Sequence, residues 1–100
     1  MAIKKGQGPK TIATTLTVIG QGESSKLGVV YHNRKSSEVN DKIQSGAKIG
    51  EIVQFIVDSW DTDFDLSQEG VQALEDEFPG MTAVVIQGFW EARKKELEKN

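Results

Sequence analysis

Three carboxylates in alternation, Asp61-x-Asp63-x-Asp65, are the residues of this chain best spaced for chemistry. Alternate acidic side chains can surround one hard cation, and this spacing opens the loop that holds calcium between two helices. The rest of that loop is missing. Its sixth position, where glycine makes the sharp turn, is Leu66, and its twelfth, where glutamate supplies two oxygens, is Gln72. The spacing is better served by Asp61 and Asp63 staying hydrated and Asp65 helping to cap a following helix. His32 is the single histidine. Acid–base work usually needs a second imidazole or a matched carboxylate within reach, and His32 falls on the outward alternation of a strand, so a surface role is expected. Ser24-Ser25 and Ser36-Ser37 lack a strained elbow, and turn and cap roles suffice for them. Gly20-x-Gly22 lacks the third glycine and the helix of a phosphate cradle. Without cysteine there are no disulfides or thiolate ligands. No catalytic, metal-binding or cofactor-binding residues are expected, and the chain does not read as an enzyme.

The elements around these residues read as a small α+β domain, mostly helical, with an N-terminal β-hairpin packed on three or four short helices. Residues 1–10 hold glycines, a proline and lysines with little to bury, which suits a flexible arm. One globular domain is expected over 11–100, with the hairpin within 11–33 and the helices within 36–98. In the first strand Ile12, Leu16 and Val18 share a face with Thr14. Gly20 to Ser25 is turn material, predicting a longer hairpin loop before Leu27, Val29 and Tyr31 alternate on the second strand. Ser36 or Ser37 is placed to cap a first helix that turns Val39 and Ile43 inward. Ile49, Ile52, Val53, Ile56, Val57 and Trp60 then form one helical stripe, with Phe55 off it. Ser67 starts the next helix, with Leu66 and Val71 at the spacing of a hydrophobic staple. Val71, Leu74 and Phe78 face the core before Pro79-Gly80 ends it. The last helix buries Met81, Val85, Ile86, Phe89 and Ala92.

Charge is unevenly divided. Residues 1–35 carry six basic side chains against Glu23 alone, a balance of +5, and the remainder carries six basic and fourteen acidic, a balance of −8. Between Lys48 and Arg93 every charge is negative. Such a split can steer encounters or favour weak head-to-tail self-association, with Lys26, Arg34 and Lys35 meeting Asp61, Asp63 and Asp65. Phe55, Phe64 and Trp90 are aromatics placed to reach a charged surface, the usual composition of interface anchors. The same basic hairpin could serve a small regulatory protein that touches nucleic acid. Tyr31 is its only aromatic, however, and the acidic helices repel phosphate, so no nucleic acid is expected. No apolar run is long enough to span a membrane, and residues 1–6 lack the apolar core of an export signal, so neither membrane nor secretion is expected.

Ile56, Trp60 and Asp61 at a helix end, an acidic loop with an aromatic, Leu74 followed by Phe78-Pro79-Gly80, and a last helix bearing Ile86 and Phe89 recur together in one known setting. With the upstream hairpin ending in Val29 to Lys35, the ordered set resembles the tail assembly chaperones of long-tailed bacteriophages. The resemblance covers most of the chain, and its order carries it, since each motif is structural. It implies a protein that binds the tape-measure protein, hides its long apolar helix and helps recruit tail-tube protein. It also implies work in the host cytoplasm and absence from the mature virion. A longer frameshifted form is frequent in that family. Gly46, Gly50, Gly70 and Gly88, inside or between helices, depart from the family's pattern.

Overall fold

From Thr11 onward, threonine, isoleucine, leucine and valine favour an extended chain, and β1 (Thr11–Gly20) turns back into β2 (Glu23–His32). The computed structural model describes residues 3–20 and 22–98. The two strands pair antiparallel without a break, from Thr11 opposite His32 to Gly20 opposite Glu23. The ladder therefore reaches the turn itself. The longer loop expected over Gly20–Ser25 is shorter than that: Gly20 still pairs with Glu23, and Ser24 and Ser25 are strand residues. Along the inner face Ile12, Leu27, Val29 and Tyr31 are buried, while Thr14, Leu16 and Val18 are half-buried. Residues 3–10 hold no regular element, but Pro9 and Lys10 are tied to Asn33, which donates its side-chain amide to one carbonyl and its backbone N–H to the other. Met1 and Ala2 of the expected arm lie outside the described residues.

Of the helices α1 (Ser36–Gln44), α2 (Ile49–Ile56), α3 (Gln68–Glu77) and α4 (Met81–Glu98), α2 and α4 pack on the sheet and α1 and α3 pack against those helices, and a short strand, β3 (Val57–Trp60), follows α2 directly. The fold is α+β, with sheet order β1-β2-β3. The stripe predicted to run as one helix through Trp60 is thus divided. The helix stops at Ile56, and Val57 to Trp60 pair antiparallel with β2. Val57 sits opposite Tyr31 and Trp60 opposite Val29, with Asp58 bulged out between them. A bulge adds one residue to one strand, so two residues three apart come to the same face. That is the spacing a helix would also give.

Other expectations need correction. Ser36 does not cap α1: Lys35 holds that position without a side-chain bond, and Ser36 Oγ accepts instead from Arg93 Nη1 at 2.9 Å. Ile43, Ile49 and Phe78 were assigned to the core but are 41%, 49% and 46% exposed. Phe78 is the C-cap of α3, where the chain has already left helical geometry, so its side chain no longer follows Leu74 inward. Ser67, not Asp65, caps α3, its hydroxyl accepting from the N–H of Gly70 at 3.0 Å.

Tyr31 and Phe89 stand at the centre of the core, both fully buried and edge to face at 5.7 Å. The Tyr31 hydroxyl donates to the carbonyl of Val85 at 2.7 Å, across the gap between β2 and α4. Burial, and to a lesser degree the charge of Glu91, pushes this phenol above its ordinary range, so it stays protonated and can donate. The approach needs Gly88. A Cβ there would stand 2.6 Å from the tyrosine oxygen and 2.7 Å from a Leu16 methyl. The glycine that looks like a weakness within α4 is what lets the helix lie against the sheet.

Candidate protein-interaction surface

The acidic segment 61–66 is folded back on the sheet edge. Asp61 extends the β2–β3 pairing by one residue: its N–H donates to the carbonyl of Gly28 at 3.0 Å and its Oδ1 accepts from the N–H of Gly28 at 2.8 Å. Asp61 is therefore engaged, where hydration alone was expected. Gly28 has no Cβ to obstruct it; one built there would lie 2.8 Å from the other carboxylate oxygen. The indole of Trp60, half-buried, donates to the carbonyl of Phe64 at 2.9 Å and pins the loop. Phe64 is thereby held edge to face with Phe78, ring centroids 6.4 Å apart. Asp63 and Asp65 flank Phe64 and are exposed, as are Asp76 and Glu77 before Phe78.

This pair is the most open aromatic feature among the described residues. Phe64 was expected at a surface; Phe78 was missed, because its spacing from Leu74 reads as core. The signal available in the sequence was Pro79, since the residue before a proline is turned away from helical geometry and a side chain there leaves the stripe. The turn that presents Phe78 is fastened by Glu75. Its carboxylate accepts from the N–H of Gly80 at 2.7 Å, the hydroxyl of Thr82 at 2.7 Å and the N–H of Thr82 at 3.0 Å. Those bonds, Gly80's foremost, hold the Glu75 carboxyl below its ordinary range. They also satisfy N–H groups at the start of α4, which no earlier turn can reach.

Phe55 and Arg34 form a different arrangement. The guanidinium lies 4.4 Å from the Phe55 ring centroid, and its Nε donates to the Phe55 carbonyl at 2.8 Å. The ammonium of Lys42 stands 5.1 Å from the same centroid. Helix α2 has no basic residue in its last turn, and Arg34 supplies a cation to the negative end of that helix from outside it. Both residues are half-buried. Trp90 is half-buried against Phe89, centroids 5.0 Å apart, with Arg93 5.9 Å from its ring. Arg93 also donates to Asn33 Oδ1 at 3.1 Å, joining α4 to the β2–α1 connection.

The remaining basic residues do not gather. Lys26 is exposed near the turn end of β2 and donates to Thr17 Oγ1 at 2.7 Å. Arg34 and Lys35 follow the other end of that strand, so β2 itself separates the charges. His32 faces Asp58 across the β2–β3 pair, Nε2 to Oδ1 3.6 Å, with both side chains partly open to solvent. Among the described residues there is no group of three or more histidines, cysteines or acids placed to hold a metal ion. No helix among them is long and apolar enough to cross a membrane.

No curated protein and no solved structure matches the chain. A family model does, over residues 5–100, and it describes phage tail assembly chaperones. The match spans the hairpin and all four helices, and on it the chain belongs to the family of phage tail assembly chaperones.

Proposed function

We infer that the chain binds the tape-measure protein of a phage tail, shields its apolar helix until the tail is built, and helps to recruit tail-tube protein. The observation that carries this is the Phe64–Phe78 pair. Two aromatic rings are held at the surface by a pinned loop and a fastened turn, amid the exposed carboxylates of Asp63, Asp65, Asp76 and Glu77. Removing apolar surface from water drives such an association. Carboxylates at the rim keep the complex soluble and favour partner segments with basic flanks. Phe55 and Trp90, half-buried under arginine, widen the aromatic surface available to a partner.

Copies of the chain would also associate weakly head to tail, Lys26 and Lys35 of one against Asp63 and Asp65 of another. Exposed pairs of this kind are screened beyond about 10 Å at 0.1 M salt, so the contact fades as salt rises. The chain would act in the cytoplasm of the infected host and be absent from the finished virion.

The test is aggregation of a tape-measure fragment containing its longest apolar helix. Light scattering on dilution from denaturant should fall in proportion to added chain and level off at a fixed ratio. Scattering unchanged at a several-fold excess would remove the reading.

A further inference from the structure

We propose that the outer edge of β1 pairs antiparallel with the same edge of a second copy, joining two sheets into one across a two-fold axis at Thr15. The parity of the ladder supplies the first argument. Asn33 donates its N–H to the carbonyl of Lys10 at 3.0 Å, so Lys10 and Asn33 are a hydrogen-bonded pair. Bonded and unbonded pairs alternate in an antiparallel ladder. Ile12, Thr14, Leu16 and Val18 therefore direct their backbone groups to β2. Thr11, Ala13, Thr15, Thr17 and Ile19 direct theirs away from it. The β2–β3 side agrees, since Gly28, of the opposite parity, bonds to Asp61. None of the hydrogen bonds among the described residues takes an outward N–H or carbonyl of β1.

The second argument is that this edge carries none of the usual protection. Proteins guard exposed strand edges with lysine, proline, bulges or short length. The strand is 10 residues long, has no bulge in its pairing, and contains neither proline nor a charge. The opposite edge is guarded by short length, a bulge and acidic side chains. The strand there is 4 residues long, bulged at Asp58 and followed by Asp61.

The occupant follows from symmetry, length and charge. The outward residues are evenly spaced about Thr15, so an antiparallel copy matches Thr11 with Ile19, Ala13 with Thr17, and Thr15 with itself, donor to acceptor throughout. The β3 edge of another copy is too short to do so. The same register puts Lys10 in a row with Gly20 of the second copy, and Gly20 is paired with Glu23 in its own hairpin. Lys10 of one copy and Glu23 of the other, the single acid among residues 1–35, thus fall in one row, at both ends of the contact. A groove of about 490 Å³ between β1 and α4, lined by Leu16, Ala83 and Val84, lies beside this edge. The inward-facing Thr14, Leu16 and Val18 are only half-buried in the single chain, and the inward side chains of the second copy's β1 would flank them across the joint.

This contact does not rest on the chaperone reading and uses a surface other than the Phe64–Phe78 pair. Because the chain has no cysteine, a single introduced thiol reports the register. Residues in a bonded antiparallel pair have Cα atoms about 5.5 Å apart, within the roughly 4.4–6.8 Å a disulfide spans. Thr15→Cys should oxidise to a covalent dimer. Thr11→Cys should not, since its two copies would stand roughly 27 Å apart at about 3.4 Å per residue. The unmodified chain should sediment as a dimer at high concentration. Thr15→Pro, which deletes only an outward N–H, should lose that dimer and keep the circular dichroism of the hairpin. A monomer at all concentrations, equal oxidation of both cysteine variants, or association that vanishes with salt while Thr15→Cys stays reduced would overturn the proposal.

Discussion

The Tyr31 side of the molecule and the Phe78 side solve opposite problems. Around Tyr31 the aromatic rings are buried, the one polar atom among them is bonded, and a glycine brings helix and sheet together. Around Phe78 the rings are half open, and the hydrogen bonds go to the backbone of a loop and a turn. The first arrangement stabilises a fold. The second keeps apolar surface in water, which a small domain retains at a cost unless something covers it. On the proposed function the difference separates what holds the protein together from what it would offer to a partner, and substitutions should divide the same way.

The largest effect should come from Phe89→Ala on the closed side. Its ring is fully buried against Tyr31, and truncations of this kind cost about 3–5 kcal/mol. Thermal or urea unfolding followed by circular dichroism should show a severely weakened or unfolded domain. A melt close to wild type would mean the core lies elsewhere.

Trp60 lies between the two sides. It packs against the core from β3 and pins the Phe64 loop through its indole. Trp60→Ala should cost about 3 kcal/mol, the lower end for large aromatic truncations because the ring is only half-buried. It should also free Phe64 from Phe78, so binding should fall further than stability does. Equal losses in both would erase the distinction between the sides.

A smaller effect is expected from acid. The Glu75 carboxyl is held below its ordinary value of 4.5 by bonds from Gly80 and Thr82. A lowered folded value gives stability that is present above the unfolded value and lost as pH falls through the folded one. The Phe78–Gly80 turn should therefore loosen as pH drops below 4.5, while the Tyr31 side is unaffected. Amide exchange at Gly80 and Thr82 would show it, and Glu75→Gln should abolish the pH dependence. Exchange at these amides that is insensitive to acid in the wild type would contradict the assignment.

How much of this was legible in the sequence depends on how local the cause is. The hairpin face, the Ser67 cap and the buried face of α4 are set by neighbours within a few residues, and they are where the alternation and periodicity place them. Strand β3 was hidden because Val57 and Trp60, three apart, satisfy a helical stripe and a bulged strand alike. Only the unpaired side of β2 decides between them. The role of Arg34 was hidden for a similar reason: its partner Phe55 is 21 positions away, and nothing in either segment alone announces the contact. Of the residues expected at the surface, Asp63, Asp65 and Lys26 are exposed and Phe64 is half open, whereas Asp61 also serves the fold. Gly88 read as a departure from the family's pattern because the atoms that require it, on Tyr31 and Leu16, come from the distant hairpin.

The most direct test is co-purification of tape-measure protein with the chain and with a Phe64→Ser, Phe78→Ser double variant. These rings lie outside the sealed core, so the variant should keep most of the wild-type stability and its far-ultraviolet spectrum. The account predicts soluble tape-measure protein bound to the wild type, and insoluble, unbound tape-measure protein with the folded variant. Equal recovery of soluble complex with both would contradict it.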